Sequence, residues 1–385
     1  MPTTPSRADR PAPVLSLPPS PNDEPAQPDE LVADTSAPPG TTEAELREEL
    51  DHEADRSASS MGRRLIVGVL FGVLVYAGIV LWLDAGAILE ALEDFAWWTF
   101  PAACGLAFGN YALRFIKWER YRSLLGIELD RRTSFVVYLA GFSMGVTPGK
   151  MGEVFKSWLI KRVNGTPIHV SAPIVVAERL TDLFGFLILV AAGGLIAKPE
   201  YAPVFAATFV LCLFAVFLCG SARAAAFATN IVRKLPRGEA LAPRLEGAFG
   251  SARVLLAPRE VIGPTLLSAV SWSLECMAFL LIANSLAPIG IELSLADALF
   301  IYSISAVVGA VAIIFPGGIG PTEGMLGTFT RQAYEPGLVH LGSEAALAAA
   351  RTKAAGAVLL TRFATLWFGV GVGLAATWLF RRMKR

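Results

Sequence analysis

The chain has 385 residues, of which 54% are hydrophobic and 17% charged, with a mean hydropathy of +0.53. A soluble core of this size would not be so apolar, so the composition excludes an ordinary soluble globular protein and describes an all-α polytopic membrane protein. The formal charge of zero hides a division: residues 1–60 carry 13 acidic and 4 basic side chains, the remainder 29 basic and 20 acidic, an excess that suits loops facing anionic headgroups and needs no nucleic-acid partner.

The first 40 residues hold 11 prolines. With its many acids and almost no aromatic side chains, the 1–60 tail cannot bury enough apolar surface to offset the entropy of ordering, and disorder is expected. Arg63 and Arg64 directly precede the first apolar run, which places the tail on the cytoplasmic side. A transmembrane domain is expected over 61–385, in approximate halves 61–220 and 261–385 joined by a basic cytoplasmic loop, 221–260. That loop carries Arg223, Arg233, Lys234, Arg237, Arg244, Arg253 and Arg259 against three acids.

The first span is 65–83, close to the roughly 20 apolar residues that a bilayer core of about 30 Å requires. Trp97 and Trp98 read as interfacial anchors of a second span that reaches Phe115. Arg114, Lys117, Arg120, Arg122, Arg131 and Arg132 then crowd the next junction and put it inside. Arg114, Lys117 and Trp118 accordingly read as interfacial, with Arg114 and Trp118, four apart, as a stacked pair. The apolar run 134–147 is too short to cross and breaks at Pro148 and Gly149, so a re-entrant hairpin with a return limb over 151–161 is expected.

Residues 168–197 read as a long or broken helix running outward, 201–220 as its return and 261–286 as another outward span. The run 295–315 breaks at Pro316, and 325–334 returns to the outer side, a second hairpin that enters from the opposite face. The last span, 354–380, ends in RRMKR, a cytoplasmic stop. The count is about six full spans and two re-entrant hairpins in a possible inverted repeat, with both termini cytoplasmic in the inner membrane.

Each break ends in a glutamate, PGKMGE at 148–153 and PGGIGPTE at 316–323. Gly149, Gly152, Gly317, Gly318 and Gly320 permit tight turns, Pro148 and Pro316 stop the preceding helices, and amides freed there are candidates to face a phosphate. Lys150 and Lys156 are candidates to add charge to that phosphate, Lys156 with interfacial snorkelling as the competing reading. An unpaired Glu153 or Glu323 at membrane depth is costly, and Arg179 and Arg362 are the arginines available to meet them or a lipid phosphate. Glu178 and Asp182 share a helix face beside Arg179, as a proton relay or as a structural buttress. Glu275 is a lone buried acid within 261–286.

Cys104, Cys212, Cys219 and Cys276 lie in apolar segments and read as small hydrophobes, and His52, His169 and His340 are scattered, so neither a disulfide framework nor a metal site is expected, nor any cofactor. No nucleophile–base pair or phosphate-binding loop is present, and a non-enzymatic function is expected.

Five segments in order, NYALRFIKWERYRSLL (110–125), TPGKMGEVFKSWL (147–159), ERLTDLFG (178–185), FPGGIGPTEG (315–324) and TRFATLWFG (361–369), resemble the lysylphosphatidylglycerol synthase transmembrane family. The resemblance runs from about residue 64 to the C-terminus. It implies a lipid-translocating module, without the soluble aminoacyl-transferase domain that follows in the synthase. It also departs at Pro321 and Thr322, where relatives often carry a basic residue. The expected function is translocation of a phospholipid or lipid-linked headgroup, with a membrane lipid of anionic headgroup as partner. The alternatives are an accessory subunit for an envelope-biosynthesis enzyme and a membrane-embedded lipid-modifying enzyme.

Overall fold

The computed structural model describes residues 95–147, 154–195, 198–234, 238–312 and 315–383, with scattered residues between 70 and 93. The acidic tail, most of the first expected span, and the whole 148–153 break with Pro148, Gly149, Lys150, Gly152 and Glu153 lie outside the described residues. The described residues fall in one unit, Ala58–Arg385, and contain helices and no strand.

Helix α1, Thr99–Leu124, is long enough to cross a bilayer yet carries a polar stripe. Asn110, Arg114, Lys117 and Tyr121 recur at helical spacing, so they share one face, and that face is buried against neighbouring helices while Phe108 and Ile116 stay exposed on the other. A helix α2, Arg131–Ala140, begins at Asp130, whose carboxylate accepts from the Thr133 amide at 2.9 Å. It tightens into a 3₁₀ turn, Gly141–Met144, just before the first break. The return limb is α3, Val154–Asn164.

After a one-turn helix at Ile168–Ser171, α4, Pro173–Ala192, starts with proline in its first turn and buries Glu178, Asp182 and Phe186 on one stripe. The span α5, Ala202–Gly220, is apolar all round and mostly exposed, as a helix facing lipid should be. The connecting segment expected as a loop is instead two helices, α6, Ala222–Arg233, and α7, Gly238–Leu255, because charge density reports a side of the membrane and not a backbone conformation. Helix α8, Pro258–Leu286, is the central post and packs on α1, α4 and α9.

The second hairpin is α9, Leu295–Val311, the 3₁₀ turn Pro316–Gly318, and α10, Pro321–Tyr334. Finally α11, Ser343–Arg362, passes through a π-helical turn, Phe363–Trp367, into α12, Phe368–Met383. A π turn leaves a carbonyl out of the regular ladder, and Tyr111 Oη of α1 donates to the Thr365 carbonyl there at 2.7 Å.

Among the described residues, three helices are long and apolar enough to cross a membrane, Pro199–Gly220, Pro258–Leu286 and Ser343–Met383; Leu295–Val311 is apolar but shorter. One core gathers Trp118, Tyr138, Phe155 and Phe380, and a second gathers Phe279, Phe300, Phe329 and Tyr334. Between them Val146, Ile319 and Val370 form a small buried cluster, which brings residues beside the two breaks together.

Candidate functional site

The charges expected at an interface are inside the packing. Arg114, Lys117, Trp118 and Lys156 are 4%, 1%, 1% and 6% exposed. Asp182 of α4 draws the first two in: Arg114 Nη2 lies 2.9 Å from Asp182 Oδ2 and Lys117 Nζ 2.6 Å from Oδ1. Lys117 Nζ also donates to Ser268 Oγ of α8 at 2.8 Å, to Thr181 Oγ1 at 3.2 Å and to the Glu178 carbonyl at 3.4 Å, so four acceptors surround its three protons. Arg179 Nη1 approaches the same carboxylate, 3.6 Å from Oδ2.

Lys156 of α3 reaches Glu178 Oε2 at 2.5 Å and stands 4.7 Å above the Trp118 ring. Trp118 Nε1 donates to Ser134 Oγ of α2. The expected stack of Arg114 on Trp118 is thus replaced: Arg114 lies 4.9 Å from the Trp272 ring centroid instead. Burial explains the difference, because a cation without water needs a carboxylate and a ring face, and α4, α2 and α8 supply them.

At the second break, Glu323 divides its two oxygens. Arg362 Nε donates to Oε1 at 2.6 Å, and the Gly320 amide donates to Oε2 at 2.7 Å, closing the first turn of α10. Arg362 Nη2 donates further to the Gly317 carbonyl at 3.4 Å. Gly317 has φ of +59°, open to glycine, and a Cβ there would stand 3.1 Å from the Gly145 carbonyl of the other hairpin. Two of the glycine amides expected to face a phosphate are engaged within the turn: Gly318 donates to Phe315 and Gly320 to Glu323.

Where Gly145, just before the first break, faces the second break lies a cavity of about 200 Å³. Gly145, Gly317 and Gly318 form part of its wall, and Arg114, Lys156, Arg179 and Arg362 line it with charge. Glu275 is the carboxylate among its lining residues, and Tyr302 Oη donates to Glu275 Oε2 at 2.5 Å. Arg114 Nε and Glu178 Oε1 are buried without a hydrogen-bond partner among the described residues. The structure therefore gathers Glu178, Arg179, Asp182, Gly317, Gly318, Glu323 and Arg362 around one space, and leaves Gly320 and Pro316 at its structural margin.

Ser268 and Tyr302 were not singled out by sequence. Their signal was present, since Ser268, Ser271 and Glu275 share one face of α8, and Tyr302, Ser305 and Gly309 one face of α9. A family model described as the lysylphosphatidylglycerol synthase TM region matches residues 69–373. No curated protein matches the chain.

Proposed function

Because this chain belongs to the lysylphosphatidylglycerol synthase transmembrane family, and is an integral membrane protein, we propose that it translocates a phospholipid or lipid-linked headgroup across the cytoplasmic membrane. The observation that carries this reading is the cation-lined cavity beside the second helix break within the apolar fold. Broken backbone at membrane depth is tolerated where it lines a water-filled space, and paired breaks are a mark of a transport site.

Magnitudes support an anionic occupant. A phosphate oxygen about 4 Å from a guanidinium gains ~4 kcal/mol at an effective dielectric of about 20. Removing the anion from water costs several kcal/mol, so one cation only breaks even. Four cationic side chains converge on this cavity. The headgroup occupies the cavity while its acyl chains remain in lipid, and the hairpins shift around it. Both termini face the cytoplasm, and the lipid leaves chemically unchanged.

Purified protein in liposomes should expose a labelled anionic phospholipid to an external quencher, and Arg362→Ala and Arg179→Ala should slow that exposure at least tenfold. Exposure no faster than in protein-free liposomes would overturn the reading. Recovery of a covalently altered lipid by mass spectrometry would point to an enzyme instead.

A further inference from the structure

The cavity is surrounded by an uneven set of charges. Among the described residues, Arg114, Lys117, Lys156, Arg179 and Arg362 are the five cations, and Glu178, Asp182, Glu323 and Glu275 are the four carboxylates. Glu178, Asp182 and Glu323 are each held in ion pairs at 2.5–2.9 Å. Glu275 differs: it forms no ion pair among the described residues, it is 5% exposed, and its one hydrogen bond is the Tyr302 hydroxyl at 2.5 Å on Oε2. It also lines the cavity itself, and among the described residues no donor reaches Oε1.

We propose that Glu275 is a proton-binding site that couples headgroup occupancy to a proton. This rests on the translocation reading and adds to it an energy-coupling residue. The proton enters from cavity water onto Oε1 and returns to water when it leaves, while Tyr302 keeps donating to Oε2. Protonation of Glu275 adds one positive charge to the cluster, taking its described side chains from one net positive charge to two. An anion in the cavity is therefore held more tightly in the protonated state, and by reciprocity it raises the site's hold on the proton.

The surrounding groups support that assignment. From α1, Tyr111 and Arg114 face the space; from α4, Arg179 faces it, with Asp182 behind Arg114. Tyr302 comes from α9 and Arg362 from α11, while Tyr138 and Lys156 stand on the wall supplied by α2 and α3. On α8 itself, Cys276 points away toward Ser303. Every other carboxylate in this set is engaged by a cation, so Glu275 is the acid whose charge is neutralised least expensively by a proton.

Infrared difference spectra of the whole protein in nanodiscs, recorded across a pH step, should show a protonated-carboxyl band that disappears in Glu275→Gln. The same band in wild type and Glu275→Gln would overturn the proposal. Binding of a short-chain phosphatidylglycerol should weaken on the order of tenfold as pH rises through that transition. The Glu275→Gln protein should stay at the tight end at every pH, and Tyr302→Phe should shift the midpoint without abolishing it. Parallel pH dependence in wild type and Glu275→Gln would also overturn it. Inorganic phosphate, titrated alongside, separates a free anion from a lipid headgroup, and the pH-dependent term supports the proton site with either. If the liposomes show no lipid movement while the band and the pH-dependent binding persist, translocation fails and the proton site stands.

Discussion

Asp182 serves three cations with two oxygens, and two of them, Arg114 and Lys117, are buried with no bulk water to fall back on. Asp182→Asn should therefore destabilise the protein by about 3–5 kcal/mol, the cost of leaving buried charge uncompensated, read as a lower melting temperature in detergent. Arg362→Met should cost a similar amount through Glu323. Adding Glu323→Gln to it should restore much of the melting temperature but not lipid movement, which separates the stability of the pair from its use. The Glu323–Arg362 pair was legible in the sequence, since a carboxylate in an apolar run demands a cation and Arg362 sits in the next long helix. The environment of Arg114, Lys117 and Lys156 was not. Counting charges near span ends gives a side of the membrane, whereas the buried face of α1 is visible only from the spacing of Asn110, Arg114, Lys117 and Tyr121 combined with a partner such as Asp182.

At the level of elements, the second break was legible because proline and glycine act locally on the backbone, while the first lies outside the described residues. The meeting of the hairpins was not, since it is set by tertiary packing. Helix α12 seats against the first hairpin so closely that a Cβ on Gly373 would stand 2.1 Å from the Ser143 amide nitrogen. Gly373→Val should force α12 off that turn and lower stability by at least 3 kcal/mol. Gly371→Val, two residues earlier on an exposed face with nothing within 4 Å, should leave the melting temperature within a degree or two of wild type. A matched loss in both variants would show that the α12 contact is not what the fold depends on. The π turn after Arg362 had no sequence signal. Its widened backbone is stabilised by a tyrosine that lies 254 positions away along the chain.

For the whole molecule, composition alone announced an all-α membrane protein, because 54% hydrophobic residues leave no other place for the surface. The number of spans was harder to read, since α1 and α4 turn their charges inward and so look less apolar than the lipid-facing α5. The expected topology is tested directly. In membranes of a variant lacking its native cysteines, Lys234→Cys and Arg382→Cys should both react with an impermeant maleimide from the cytoplasmic side. Reaction of either from the outer side would reverse the orientation assigned from charge.

The divided carboxylate of Glu323 has a mechanical consequence. Its two oxygens answer to different masters, one to the guanidinium across the cavity and one to the first turn of its own helix. A visiting anion that competes for Arg362 releases Oε1 alone, and the start of α10 keeps its clasp. Under the proposed translocation, the second hairpin would let go of its neighbour without fraying and swing as a rigid lever with its end still tied.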